Sequence, residues 1–232
     1  MIKNLLIDLD DTLLDFGKAE SIALTKTLLK CKIEPSEQLL ARYHEINASL
    51  WHALEEGRIL RSELLLERFR RLSEEFSLSL DPVLTQSYYD EFLSMGCFFI
   101  PGAKELLDEL AEQYTLYIAS NGNVRAQQKR IANAGLSGYF TDVFLSEVIG
   151  HDKPDPAFFD ACFARMEGAD RDNTVMIGDS LRSDMLGGMR YGLPTVWFNP
   201  KRLPLPEGMH VDAVIHSLSQ LPATLRRMAM AH

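Results

Sequence analysis

The chain opens on one short apolar run, Leu5-Leu6-Ile7, which stops abruptly at the acidic segment Asp8-Leu9-Asp10-Asp11-Thr12. This reads as a buried strand that delivers polar residues at its carboxyl end. The next run of strand character, Leu116-Tyr117-Ile118-Ala119 followed by Ser120-Asn121-Gly122, lies about a hundred residues further on. A crossover between parallel strands needs only a dozen or more residues, so the intervening chain holds a unit of its own. Its periodicity is helical: Leu39, Tyr43, Ile46, Leu50 and Leu54 recur at spacings of 4, 3, 4 and 4, and Leu65, Phe69, Leu72 and Phe76 at 4, 3 and 4. Asp81-Pro82 supplies an N-cap and a first-turn proline for a further helix, with Leu84, Tyr88 and Phe92 expected on its apolar face.

From Pro101 onward strands and helices alternate. A helix around Leu106, Leu107 and Leu110 leads to the strand at 116–119, and Asn123 caps a helix ending at Gly135. Val143-Phe144-Leu145, Thr174-Val175-Met176-Ile177, Pro194-Thr195-Val196-Trp197-Phe198 and Ala213-Val214-Ile215 read as strands, with helices from Asp155-Pro156, after Ser180 and at the carboxyl terminus. The expected architecture is therefore α/β: a Rossmann-like parallel sheet with helices on both faces, residues 1–14 and 95–232, plus an inserted all-helical subdomain, residues 15–94.

Thirty-three acidic residues against 24 basic ones give a net charge of −9, a poor match for nucleic acid or an anionic membrane surface. The three cysteines, Cys31, Cys97 and Cys162, form no CxxC pair and call for neither a disulfide framework nor a cysteine zinc site. The apolar amino-terminal stretch is cut short at Asp8, leaving no room for a signal peptide, and no run approaches the length of a membrane span. A reducing cytoplasm is the expected location.

In an open parallel sheet, polar groups at the carboxyl ends of strands converge on one crevice. Four segments meet that description: Asp8 to Thr12, Ser120 to Gly122, Lys153-Pro154, and Gly178-Asp179-Ser180 with Asp184. In extended chain Asp8 and Asp10 project to the same side with Leu9 turned into the core, so the two acids can divide nucleophilic and acid/base work. They read equally as a turn that caps the next helix. Asp179 and Asp184 offer the oxygen ligands that Mg²⁺ prefers, or an N-capping turn followed by an acid on a solvated helical face. Ser120 is a turn residue or a phosphate ligand, and Lys153 a surface lysine or a cation for an anionic substrate. No histidine pair has zinc-binding spacing. Gly187, Gly188 and Gly192 follow the wrong element for a dinucleotide loop and fit close helix packing instead.

Taken together, Asp8-Leu9-Asp10-Asp11-Thr12, Ser120-Asn121, Lys153-Pro154 and Gly178-Asp179-Ser180 through Asp184 resemble the four ordered motifs of the haloacid dehalogenase superfamily of phosphohydrolases. The inserted helices are similar to that superfamily's helical cap. The resemblance implies that Asp8 attacks phosphorus to form an aspartyl-phosphate and that Asp10 protonates the leaving oxygen, then activates water. It implies Mg²⁺ on the Asp8 carboxylate, the Asp10 main-chain carbonyl and Asp179, with Asp184 on or beside the ion. It further implies phosphate binding by Thr12, Ser120, Asn121 and Lys153, with Thr12 also positioning the turn. Phosphoryl transfer depends on alignment and charge neutralisation, which such a set supplies jointly.

Leu50-Trp51, Gly57-Arg58-Ile59 with Arg68-Phe69, and Leu145-Ser146-Glu147-Val148-Ile149-Gly150 resemble a bacterial pyrimidine 5′-nucleotidase group within that superfamily. A nucleoside 5′-monophosphate is the implied substrate, with Tyr43, Trp51, Phe69, Tyr88 and Tyr89 available to stack on a base or to pack a core. Sugar phosphates and phosphoglycolate are alternatives, as is a 2-haloacid, although dehalogenation gives Asp10 no alkoxide to protonate. A phospho-receiver module needs no cap and no adjacent acid/base. The expected partner is a small phosphorylated metabolite.

Overall fold

The computed structural model describes residues 1–231. Six strands form one parallel sheet: β1 (Asn4–Ile7), β2 (Thr115–Ser120), β3 (Asp142–Leu145), β4 (Thr174–Gly178), β5 (Thr195–Phe198) and β6 (Ala213–Ile215), in the order β3-β2-β1-β4-β5-β6. Between β1 and β2 run α1 (Phe16–Lys30), α2 (Glu37–Glu55), α3 (Arg61–Glu75), α4 (Pro82–Leu93) and α5 (Ala103–Ala111). Helix α6 (Val124–Asn133) follows β2, short α7 (Ser146–Ile149) follows β3, and α8 (Pro156–Phe163) precedes β4. Helix α9 (Leu186–Tyr191) precedes β5, and α10 (Leu221–Ala231) ends the described chain. No helix of the described residues is long and apolar enough to cross a membrane.

The chain divides into two compact units, a sheet unit (Met1–Asp15, Phe98–Val124 and Ala134–His232) and a helical unit (Phe16–Cys97 with Arg125–Asn133). Within the sheet unit, register sets Leu6 beside Tyr117 and Met176, and the three share a buried cluster with Phe144, Phe158 and Met185. Such strands, buried throughout, are continuous apolar runs in the sequence. The segments that leave for the helical unit and return from it are fastened to each other: Asp15 N donates to Phe98 O at 2.8 Å and Ile100 N to Leu13 O at 2.9 Å. The glycines of α9 serve close packing, since a Cβ on Gly187 would meet the Phe159 ring at 2.9 Å and one on Gly188 the Thr195 methyl at 2.8 Å.

The helical unit has a polar heart. Arg68 on α3 is buried, donating to Asn47 Oδ1 at 3.1 Å and Gln86 Oε1 at 2.7 Å, with its guanidinium 4.4 Å from the centre of the Tyr89 ring. Buried Glu20 accepts from Asn47 Nδ2 at 2.7 Å, Tyr89 OH at 3.2 Å and His44 Nδ1 at 2.7 Å. This network turns α4 away from the expected face. Asp81 does cap the helix, accepting from Val83 N and Leu84 N at 2.9 and 3.0 Å, but Thr85, Gln86, Tyr89 and Leu93 point inward while Leu84 is 48% exposed. Tyr88 and Phe92 lie instead under the Lys30 ammonium, at 4.1 and 5.2 Å.

Two features at the end of β4 build the site. After Gly178 the chain enters a π-helical turn, Leu181–Met185, in which Ser180 Oγ accepts from Ser183 N at 3.1 Å. The turn folds Asp184 back on the strand end, where its Oδ2 accepts from Ser180 N at 3.1 Å. A Cβ on Gly178 would stand 2.2 Å from that Oδ2 and 2.4 Å from Cγ. Gly178 thus provides space for Asp184.

Two predictions follow from this packing. Gly178→Ala should destabilise by about 2 kcal/mol, lowering the melting temperature by roughly 4–8 °C, because buried Asp184 has no room to yield; an unchanged melting temperature would refute the close-approach argument. The second concerns His44, whose pKa is raised above 6.5 by its hydrogen bond to Glu20, burial opposing. A raised histidine stabilises fully below its unfolded pKa and loses that contribution as pH climbs through the folded value. Denaturant melts should show wild type exceeding His44→Gln most at about pH 5.5, with the gap closing by about pH 9.

Candidate active site

Strands β1 and β4 are neighbours where the order turns towards β2 on one side and β5 on the other. At such a switch point the loops leaving the carboxyl ends diverge and open a crevice. Asp8 leaves β1 there and Asp179 leaves β4. The Asp8 N–H still donates to Ile177 O at 2.9 Å, so Asp8 is fixed against the end of β4 before the chain turns away. The turn is closed by Leu13 N and Leu14 N, both donating to Leu9 O at 3.0 and 2.9 Å, with Asp11 in the left-handed region at φ 57°. Aspartate tolerates that conformation better than most side chains. Leu9 and Thr12 are fully buried beneath the turn, whereas Asp10 keeps part of its surface accessible.

Lys153 enters from the segment before α8 and is 1% exposed. Its Nζ donates to Asp8 Oδ1 at 2.8 Å, Asp184 Oδ1 at 2.6 Å and Ala119 O at 2.6 Å, which accounts for all three ammonium protons. Asn121 secures the backbone behind it: Asn121 Nδ2 donates to Lys153 O and Lys153 N to Asn121 Oδ1, both at 2.9 Å. Both ends of that side-chain amide are therefore engaged by the Lys153 main chain. Ser120, buried at the end of β2, accepts at Oγ from Gly122 N at 3.0 Å.

Carboxylate oxygens of Asp8, Asp179 and Asp184 lie within 4.8 Å of one another. Three acids and one ammonium leave an excess of two negative charges when all are ionised. Burial, with Asp184 and Asp10 nearby, pushes Asp8 up to about 8 even though Lys153 opposes the shift. Asp179 is driven well above the usual carboxylate range by burial and by Asp8 and Asp184. For Lys153, burial works against the charge, but Asp184 and Asp8 outweigh it and hold the ammonium above the usual lysine range. Buried carboxylates this close are relieved by a cation. With hard oxygen donors and no histidine or cysteine among them, the set fits Mg²⁺ better than zinc.

The site thus gathers Asp8, Lys153, Asp179 and Asp184, and Asn121 serves it through the Lys153 backbone. Two groups in contact with it carry no sequence signal, the Ala119 carbonyl under Lys153 and the indole of Trp197, whose Nε1 donates to Asp179 O at 2.8 Å. Of the aromatics considered for stacking, Tyr43, Phe69 and Tyr89 are buried inside the helical unit around Arg68, while Trp51 and Tyr88 keep accessible surface.

Comparison with known proteins gives a consistent picture. The putative HAD-hydrolase YfnB of Bacillus subtilis is 39% identical over 206 residues, 88% of each chain. Its crystal structure bound to magnesium matches with a TM-score of 0.93 at 37% identity, covering 97% of this chain and 98% of that one. The pyrimidine 5′-nucleotidase PynA of Streptococcus pneumoniae is 39% identical over 202 residues, 87% of this chain and 85% of its own. The L-2-haloacid dehalogenase of Xanthobacter autotrophicus, 19% identical, shares the fold with a TM-score of 0.76 over 97% of this chain and 99% of that one. With a haloacid dehalogenase-like hydrolase family model also matching residues 2–192, the chain belongs to the haloacid dehalogenase-like hydrolases.

Proposed function

We propose that the protein is a Mg²⁺-dependent phosphatase that hydrolyses a small phosphomonoester, a nucleoside 5′-monophosphate in the first instance. The observation that carries this reading is the buried Lys153 ammonium joining Asp8 to Asp184 beside Asp179, a constellation with an unmet need for positive charge. The nucleotide assignment is supported by relatives named as pyrimidine 5′-nucleotidases in Streptococcus pneumoniae and Escherichia coli, the latter 29% identical over 218 residues. A cytoplasmic location agrees with three free cysteines.

Asp8 is the nucleophile. Lys153 fixes its Oδ1, which leaves the other carboxylate oxygen to attack phosphorus while the bond to the ester oxygen breaks. Asp10, outside the Lys153 network, gives its proton to the departing alkoxide. As carboxylate it then takes a proton from the water that attacks the aspartyl-phosphate, releasing inorganic phosphate and regenerating Asp8. Asp8, the Asp10 main-chain carbonyl and Asp179 would hold the metal, with Asp184 on or beside it. The ion, when bound, neutralises charge on the phosphoryl oxygens and lowers the pKa of Asp8 towards the ionised form. Ser120 receives a phosphoryl oxygen through its hydroxyl, Lys153 contributes its charge from beneath, Asn121 holds Lys153 in place, and Thr12 supports the turn that carries both acids. Phosphomonoester hydrolysis is so slow unaided, with accelerations of up to roughly 10²¹-fold, that no one of these groups suffices.

Incubation with p-nitrophenyl phosphate and a panel of nucleotides and sugar phosphates, compared by kcat/KM, tests the reading. Phosphate release is expected with Mg²⁺, not with EDTA, and fastest on a nucleoside 5′-monophosphate. No release from any ester in Mg²⁺ would refute the phosphatase, and a sugar phosphate ranking first would refute the nucleotide assignment alone.

The acid roles separate by substitution. Asp8→Asn should fold and lose activity by about 10³-fold or more. Asp10→Asn should cost roughly 10²–10⁴-fold on alkyl esters and less on aryl esters, whose leaving oxygens need the proton least. Equal losses on both ester types would remove the general-acid role from Asp10.

A further inference from the structure

Trp197 sits on β5 directly across from Gly178, the last residue of β4 in the ladder. Asp179 is the first residue past that ladder, and its main-chain carbonyl is taken by the Trp197 indole Nε1 at 2.8 Å. The indole is 2% exposed. It has one donor and no acceptor, so burying the ring commits its N–H to that carbonyl. The same ring belongs to the buried cluster containing Met185, which ends the π-helical turn carrying Asp184. One side chain thus bonds the residue at the start of the acidic loop and packs in the cluster that anchors its end. Carboxylate oxygens of Asp179 and Asp184 lie within 4.8 Å of those of Asp8, and such a loop gains from an external hold when it is to keep its carboxylates aimed at one point.

We propose that Trp197 is a positioning residue for the divalent-cation site, holding the Asp179 loop so that its carboxylate is presented to the metal, and that its emission reports occupancy of the site. The proposal rests on reading Asp179 as a metal ligand.

Trp51 and Trp197 are the two tryptophans of the chain, so Trp51→Phe leaves Trp197 as the single emitter. Titrated with Mg²⁺ without substrate, this variant should show a saturable change in emission at the concentration that half-maximally raises the wild-type melting temperature. Trp197→Phe, which keeps an aromatic ring but removes the N–H, should move that half-maximal Mg²⁺ concentration up about 3- to 10-fold, the equivalent of one hydrogen bond. Its kcat should return to within about twofold of wild type at saturating Mg²⁺. A purely structural role would lower the melting temperature equally at every Mg²⁺ concentration and leave the midpoint unmoved, which overturns the proposal. Flat Trp197 emission while the wild-type melting temperature still responds to Mg²⁺ overturns it too and leaves Asp179 as ligand standing. A wild-type melting temperature indifferent to Mg²⁺ overturns both. Should Trp197→Phe fail to fold, the emission of Trp51→Phe decides alone.

Discussion

The buried ammonium of Lys153 is the interaction on which the rest of the site depends. It joins Asp8, 145 residues away in sequence, to Asp184, 31 residues away, and caps the end of β2 through Ala119 O. A charge without water is tolerated only when paired and hydrogen-bonded, so each of these groups needs the others in place. Removing the ammonium would leave the buried carboxylates uncompensated, and breaking a buried pair in that way typically costs about 3–5 kcal/mol, whereas loss of one acid leaves Lys153 still paired with the other. The surrounding devices follow from that constraint. Asn121 clamps the Lys153 backbone from both sides, Gly178 gives up its side chain to make room for Asp184, and the π-helical turn bends the chain so that Asp184 arrives from above the strand end.

A single lysine among Asp8, Asp179 and Asp184 leaves acid in excess, and burial first, then the neighbouring acids, pushes Asp8 and Asp179 above their ordinary range. A site built only to hold the sheet together would have neutralised one more carboxylate or replaced it with an apolar side chain. The net charge of −9 argues in the same direction at larger scale, since a net-negative chain is a poor match for polyanions.

Much of this was legible before any coordinates, for reasons that differ by element. Strands β1, β2 and β4 are buried in a parallel sheet and so read as apolar runs, and the polar residues that end them mark the crevice. Helices α2 and α3 were readable by period and α4 by its cap, but the inward face of α4 was not. Its buried stripe of Thr85, Gln86 and Tyr89 is polar because it faces Arg68, and an apolar-periodicity argument selects Leu84, Tyr88 and Phe92 instead. Lys153 was readable as part of a motif, yet nothing in a Lys-Pro pair announces a fully buried side chain, since lysine is among the residues most often exposed. The π-helical turn was likewise hidden, because it is sustained by Ser180 and by the return of Asp184, contacts that exist only once the turn has formed. The role of Trp197 is invisible for the same reason: its partner is a main-chain carbonyl on another strand's loop.

The two polar clusters of this chain show what separates structural from functional burial. In the helical unit, Arg68 is bridged through Asn47 to the carboxylate of Glu20, and amides and hydroxyls meet the remaining valences. One buried cation answers one buried acid, and His44 at the edge of the network adds positive charge to Glu20 as the pH falls. In the sheet unit, one buried cation answers three acids, which leaves negative charge in excess. Burial, strong hydrogen bonds and perturbed titration occur in both clusters, so none of them by itself marks a reaction centre. What distinguishes the Lys153 cluster is the sign left over after its internal pairs are counted, together with its place at the strand-order switch, where the loops leaving the strand ends diverge.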